Sequence, residues 1–329
     1  MPLITTLASG SDSGFVTSGG GLGYSFTTAT FTPGTSSGLQ GPTIAQARAG
    51  VGSPSWAAEK MTMTYPGYIE WTVPATANYT FTLAGAQAGG GERYLSANNP
   101  ANDYTPATWL RGGRGAIIRF NYNLIIGEKV GIVIGQYGGS GYEQGNSRAG
   151  GGGGGTWLYT VIGETLIAVA GGGGGGGDST EGLDASVNGG SGQGGVDNGG
   201  GAGGGWLSNG ANTSPAPTTS CYGSLSCRGG AVKPSVGSYG VAHSGWTYSA
   251  LQCHFDRFGG FGGGATQHDN YSGGGGGYTG GNGGSGGGST GGTSYVISSA
   301  TSVNTSFGLN GTLSQTTTPF HGYMTVTKN

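Results

Sequence analysis

The residues with the most reactive side chains lie mainly in the second half of the chain. Cys221, Cys227 and Cys253 fall close together there. Zinc sites usually pair cysteine or histidine ligands across two to four intervening residues, and the stretch CYGSLSC does not have that spacing. We therefore expect no metal. Three cysteines do not complete a disulfide framework, so one local disulfide and free thiols both remain open.

Catalysis has little support in the pattern of histidines and acids. The four histidines are His243, His254, His268 and His321. The stretch CHFD, 253–256, brings three reactive types together, but catalytic triads are assembled across a fold rather than along the chain. Asp178 with Glu181 or Asp184 could serve as a glycosidase pair, and these acids fit solvated loop residues at least as well. The sequence predicts no enzyme activity and no cofactor.

Glycine dominates the composition from which any site must be built. It supplies 81 of 329 residues, and charged residues make up only 8%, against roughly 7% glycine and about 25% charged residues in ordinary domains. Disordered chains usually carry high net charge and few aromatics, whereas this chain has a net charge of −2 and 10% aromatics. We therefore expect a folded protein.

The same composition bears on partners and location. A near-neutral chain lacks the excess of basic residues that proteins use to bind nucleic acid or an anionic membrane. No apolar stretch approaches the ~18 residues that span a bilayer, and the first residues lack the basic and apolar regions of a secretory signal. We expect neither nucleic-acid binding nor membrane insertion.

Alternating hydrophobic and polar residues predict strands around the glycine runs. In NYTFTLAGA, the side chains of Tyr79, Phe81 and Leu83 share one face, with threonines on the other. Turns are predicted at 127–128 and 163–164. IAQARAG is the only helix-like stretch in the first 60 residues. The expected strand regions are about 65–85, 115–136, 156–170 and 293–328.

The glycine runs themselves predict an unusual element. Glycine can adopt the polyproline II helix, which has three residues per turn and no internal hydrogen bonds. Buried backbone groups of such helices must find partners on their neighbours, and the entropy cost of ordering glycine requires many bonds to form together. We therefore expect a polyglycine-II bundle, with solvated glycine loops as the alternative. The runs lie around 89–91, 150–155, 171–177, 199–205, 273–277 and 283–288.

Two excursions, 92–111 and 206–258, are rich in Tyr, Trp, Ser, Asn and Gly, which recognition loops use for contact. A rigid scaffold would hold them for binding to a glycan or a protein. The candidate receptor-binding residues are Tyr94, Tyr104, Trp109, Tyr222, Tyr239, Trp246 and Tyr248. The alternative is that these aromatics are buried or cap the bundle, as Trp206, Tyr271 and Tyr278 could at the ends of runs.

Several stretches occur in a familiar order, including WTVPATANYTFTLAGAQAGGG, TLIAVAGGGGGGG and GGGGGYTGGNGGSGGGSTGGTSYV. Over about 65–329 this order resembles the glycine-rich domain of anaplastic-lymphoma-kinase and leukocyte-receptor-kinase-type receptors. The resemblance implies a mainly β fold, a tumour-necrosis-factor-like β-sandwich with an inserted polyglycine-II helix bundle. In the receptor kinases this domain binds protein ligands outside the cell.

The chain departs from those receptors in its lack of a kinase and in its few cysteines. Its composition instead resembles a bacteriophage virion protein, and tail-fibre adhesins of T-even-type phages use stacked polyglycine helices with variable loops at one end. We therefore expect residues 1–60 to attach or oligomerise the protein and 61–329 to form the glycine-rich domain, with the bundle and its loops in 171–292.

These resemblances imply a non-enzymatic structural or adhesive protein on an external virion appendage. Its partners would be other virion or fibre subunits, further copies of itself (a trimer by analogy) and a host cell-surface glycan or protein. Two other functions stay open: a cellular extracellular glycine-rich protein that binds a ligand or forms matrix, and a surface carbohydrate-active enzyme.

Overall fold

The computed structural model describes residues 24–25, 27–93, 108–140, 149–187, 189–212, 228–236, 240, 258–267, 271–311 and 320–329. Two short helices, α1 (Ile44–Gly50) and α2 (Ala57–Lys60), and a 3-10 turn (Pro234–Val236) lie among them. The strands are β1 (Thr28–Phe31), β2 (Met61–Met63), β3 (Ile69–Thr72), β4 (Ala77–Ala84), β5 (Gly91–Arg93), β6 (Thr108–Leu110), β7 (Gly115–Leu124), β8 (Lys129–Val133), β9 (Thr156–Thr160), β10 (Leu166–Ala170), β11 (Tyr295–Val296), β12 (Thr301–Asn310) and β13 (Tyr323–Lys328).

Most of these strands belong to two antiparallel sheets. Sheet A has the order β1-β13-β4-β7-β12, and sheet B has the order β11-β10-β9-β8-β3-β2. Strands β5 and β6 pair separately. Buried side chains of both sheets share one hydrophobic core. The protein is therefore mainly β and sandwich-like, as the alternating pattern predicts.

The sandwich core is built on large aromatic side chains. Tyr79, Phe81 and Leu83 of β4 are fully buried, as the alternation predicts, and the residues between them are partly exposed. Phe81 stacks on Phe120 of β7 with 5.4 Å between ring centroids. Trp71 of β3 meets Tyr79 edge to face at 6.2 Å, so an aromatic pair joins the two sheets.

Strand β10 of sheet B is buried on both of its faces. Every residue of β10 (LIAVA) is buried, which is typical of a strand that is covered from two sides. One side is the sandwich core. On the other side, Trp157 and Tyr159 of β9 pack with Trp206 and Phe261 in a second hydrophobic cluster. The glycine-rich segments therefore pack directly against sheet B.

Two turns and one helix confirm local predictions. The β7–β8 turn contains Gly127 and the β9–β10 turn contains Gly163, with φ angles of 79° and 80°, a backbone region that favours glycine. Helix α1 coincides with IAQARAG. A capping box starts it, because Thr43 accepts from the backbone N–H of Gln46 and Gln46 accepts from the backbone N–H of Thr43.

The described part of residues 1–60 belongs to the same sandwich. Strand β1 pairs with β13 at the edge of sheet A. Phe31, Ala47 and Ala57 are buried in the core formed by the later strands. Residues 28–60 and the chain after residue 61 therefore share one sheet and one core. The attachment role expected for 1–60 stays a prediction.

Candidate functional site

The run of seven glycines, 171–177, follows β10 and is buried throughout. Its amides donate to other segments of the chain, and partners three residues apart lie in the same segment. The donor–acceptor pairs are Gly172 to Gly276, Gly173 to Ala86, Gly174 to Leu183, Gly175 to Gly273, Gly176 to Gly89 and Gly177 to Thr180, with N···O distances of 2.8–3.0 Å. Successive amides of the run therefore donate to three different neighbouring segments in turn, and this pattern repeats every three residues.

The carbonyl groups of the run follow the same period with three other neighbours. The amides that donate to them are Ala116 to Gly171, Gly292 to Gly172, Gly153 to Gly173, Gly113 to Gly174, Ser289 to Gly175 and Gly150 to Gly176, at 2.7–3.0 Å. Six segments therefore surround one glycine run. Each bonds to every third residue of the run.

Similar bonds connect a wider set of segments, which we call the glycine lattice. It comprises residues 85–89, 111–116, 135–139, 150–155, 171–177, 180–185, 201–205, 258–265, 273–277 and 289–292. Within 171–177, a Cβ built on any residue would lie closer than 3.0 Å to a backbone atom of a neighbouring segment. The close approach of these segments therefore excludes side chains.

The glycine lattice has two distinct ends. Its near end adjoins sheet B, where β10 leads directly into Gly171. Its far end lies at the other end of the run, where the chain turns through the exposed residues 179–181. Gly89, Gly150 and Gly273 bond to the last residues of the run, so they also lie at the far end.

Four ranges outside the described residues are flanked by far-end residues: 94–107, 141–148, 213–227 and 268–270. The first leaves from β5 and returns through β6, which pair up to Arg93 and Thr108. The flanks of the second bond to each other, because Gly151 donates to Gly139 at 2.8 Å. For both of these ranges, the residue before the range and the residue after it therefore lie at the far end of the glycine lattice.

The flanks of the other two ranges follow the same arrangement. Ala202 donates to Ala211, before 213–227, and accepts from Gly229, after it. Gly274, just after 268–270, donates to Gly201 and accepts from Ala265. These bonds connect the two pairs of flanks to each other at the far end.

Of the seven predicted receptor-binding residues, Tyr94, Tyr104 and Tyr222 fall in these ranges and Trp109 lies beside one of them. The other three fall in two further ranges, 237–239 and 241–257. Tyr94, Tyr104, Tyr222, Tyr239, Trp246 and Tyr248 lie outside the described residues, so their roles stay predictions. Trp109 belongs to β6 and pairs through its backbone with Glu92 of β5. Trp206, by contrast, lies at the near end against sheet B.

An ion network that sequence reasoning missed ties the glycine lattice to the turn at its far end. Asp184 accepts from Arg111 Nη1 at 2.9 Å, and from Arg114 through Nη2 and the backbone amide at 2.7 Å each. Arg111 also pairs with Glu181 through Nε at 2.9 Å. Glu181 and Asp184, the two alternative partners of Asp178 in the glycosidase pair considered above, therefore both bind arginines. The spacing RGGRG was the available signal.

The electrostatics of Asp184 are set by two opposing effects. Burial raises the pKa of its carboxyl group. Hydrogen bonds from Arg114 and Arg111, together with the charge of Arg111, lower the pKa by more than burial raises it, so the net pKa lies below the ordinary value. A carboxylate held in this way stabilises the fold only while it is ionised. The carboxylate of Asp184 joins its own segment to that of Arg114, which lies 70 residues away in sequence.

Replacing Asp184 with asparagine is expected to lower the free energy of unfolding at pH 7 by about 2 kcal/mol, the typical value of hydrogen bonds to charged groups. The wild-type contribution is complete above the unfolded pKa of about 3.9 and disappears as pH falls through the lower folded pKa. Urea unfolding at several pH values measures both effects.

The matched control for this substitution is Glu59→Gln. The Glu59 side chain is 80% exposed and its pair with Lys60 spans 3.9 Å, so its loss should be barely measurable. Equal stability of Asp184→Asn and wild type at pH 7 would contradict the role assigned to the network.

The part of the chain that the structure describes offers neither a metal site nor a membrane-spanning helix. Among its residues, no group of histidine, cysteine, aspartate and glutamate side chains is arranged to hold a metal ion. No helix in the same part of the chain has the length and apolar character needed to cross a membrane.

Comparison with protein-family models finds no match, and the curated proteins include none that is significantly similar to this chain. Function therefore has to be inferred from the residues and their geometry.

Proposed function

We propose that the protein is a non-enzymatic adhesive subunit whose glycine lattice presents aromatic loops to a host cell surface. The observation that carries this proposal is that the residues flanking four ranges of the chain (94–107, 141–148, 213–227 and 268–270) lie together at the far end of the glycine lattice. Loops that share one rigid base can form a single contact surface, as recognition loops do on other scaffolds.

Three features support a polyglycine-II helix bundle as that base. The bonds of 171–177 repeat every three residues, they all go to other segments, and the donor and acceptor neighbours differ. A helix with three residues per turn and no internal hydrogen bonds requires this pattern. Together with the resemblance described above, this supports a bundle inserted into a tumour-necrosis-factor-like sandwich.

The contents of the far-end ranges support adhesion. The range 94–107 contains two tyrosines, and 213–227 contains Tyr222. Tyrosine and tryptophan supply large contact areas at low entropy cost and dominate binding energies. A host glycan or surface protein is the target that fits such loops. The resemblance to phage tail-fibre adhesins makes an external virion appendage the proposed location.

Substitution of far-end aromatics is expected to abolish adhesion while leaving the fold intact. The full chain, fluorescently labelled, would be tested on a panel of bacterial strains and on an array of microbial polysaccharides. A single far-end aromatic, such as Tyr222, changed to alanine should weaken binding about 30-fold, the effect of losing roughly 2 kcal/mol.

Tyr65→Ala is the matched control, because this tyrosine is 40% exposed and precedes β3, away from the far end. If a variant with all seven candidate aromatics changed to alanine bound as tightly as the wild type, the adhesive proposal would be contradicted. Mass spectrometry of purified particles tests the location separately: presence of the chain supports a virion subunit, and absence contradicts it.

A further inference from the structure

The sandwich has a second end, opposite the glycine lattice, where three turns lie side by side. We call it the hairpin end: residues 73–76, 125–128 and 161–165. Gly127 donates to the carbonyl of Val73 at 2.9 Å, and Val161 donates to that of Lys129 at 3.0 Å. Strands β8 and β10 enter the glycine lattice at their other ends, so the hairpin end and the far end point in opposite directions.

Three isoleucines are exposed on these turns. Ile125, Ile126 and Ile162 are 64%, 42% and 88% exposed. Most other isoleucines of the sheets and of the adjoining lattice are fully buried (Ile69, Ile118, Ile132, Ile134 and Ile167), and Ile117 of β7 is partly exposed. Scattered exposed apolar residues are ordinary, but a group on adjacent turns indicates a contact surface.

Two acids lie on the turns that carry these isoleucines, and one lysine lies on a neighbouring segment. Glu128 accepts from the backbone amide of Ile125 at 3.2 Å. Glu164 accepts from the backbone amide of Ser235 at 3.2 Å, which brings the segment of Lys233 beside the β9–β10 turn. Within the described residues, the ion pairs do not include Glu128, Glu164 or Lys233.

A surface that carries an apolar centre and charges of both signs is complementary to itself. A two-fold axis that passes between Glu164 and Lys233 would set Lys233 of one copy against Glu164 of the other, which is the arrangement of an isologous interface. We propose that copies of this chain associate through the hairpin end. The association does not depend on the adhesive role, but it would leave each far end free and so multiply the number of binding sites.

The mass of the full chain in solution, measured by sedimentation equilibrium over micromolar concentrations, tests the proposal. The wild type should have the mass of at least two chains. Ile162→Arg should reduce it to one chain, because a guanidinium at the apolar centre of the interface would have to be taken out of water. The side chain is 88% exposed, so the substitution should leave the fold, measured by far-ultraviolet circular dichroism, unchanged.

Leu183→Arg is the matched control, because Leu183 is 57% exposed in the glycine lattice and away from the hairpin end; it should retain the wild-type mass. Lys233→Glu should raise the dissociation constant about tenfold by placing like charges together, and adding Glu164→Lys should restore it. The proposal would be overturned if the wild type had the mass of one chain at every concentration, or if Ile162→Arg had the same mass as the wild type. If the Lys233→Glu/Glu164→Lys double variant did not regain the wild-type dissociation constant, the two-fold arrangement would be overturned.

Discussion

Gly175→Ala is expected to destabilise the protein by about 3 kcal/mol, at the upper end of the cost of overpacking a core. A Cβ at this position would overlap the carbonyl of Gly150. That carbonyl accepts from Gly273, and Gly175 itself donates to Gly273 at 2.9 Å. Relief of the overlap would require three segments to separate, so their bonds would be lost together. Chemical denaturation measures the change.

The control is the same substitution at Gly189, where the nearest atom to an added Cβ is the carbonyl oxygen of Ser294 at 3.8 Å. Alanine there should be neutral or stabilise by up to about 1 kcal/mol, because it restricts the unfolded chain. The two substitutions are thus expected to differ in sign. In the wild type, the amides of 172–176 should exchange hydrogen only on global unfolding; rapid exchange, or a harmless Gly175→Ala, would show that the run is not held as described.

Trp206→Ala is expected to cost about 4 kcal/mol, in the range for removal of a buried tryptophan. Trp206 is 5% exposed, and its ring lies 5.9 Å from that of Trp157 and 5.5 Å from that of Tyr159. These contacts connect the glycine lattice to sheet B. Denaturation followed by tryptophan fluorescence and by far-ultraviolet circular dichroism would give the loss and show whether the two parts still unfold together.

The neighbouring Leu207 provides the control for Trp206. It is 43% exposed, so Leu207→Ala should cost less than about 1 kcal/mol. A Trp206→Ala protein that loses no more stability than Leu207→Ala would show that the joint between glycine lattice and sheet does not rest on this side chain.

Local structure followed from the sequence where side chains alternate or where glycine marks a turn. The inward residues of β4 and helix α1 are examples. Long-range order did not follow. The pairing of β1 with β13 joins residues almost 300 apart, and β1 is only four residues long, so its pattern could not select a partner.

The glycine lattice shows a different limit. Glycine residues are identical, so nothing in a run of seven distinguishes the residue that bonds to Ala86 from the one that bonds to Leu183. The register is set by what flanks the run, including β10 and the arginine pairs of Asp184. The participation of 113–116 could not be predicted either, because the sequence pattern assigned 115–116 to a strand and 113–114 to no glycine run.

The three-residue period of the run 171–177 also constrains how its length can change during evolution. One added residue would rotate all later carbonyl groups by a third of a turn, away from their partners. Three added residues would complete a turn and present each group in its former direction, about 9 Å further along. Length changes that are multiples of three, matched in the surrounding segments, would lengthen the scaffold and carry its loops outward without rebuilding it.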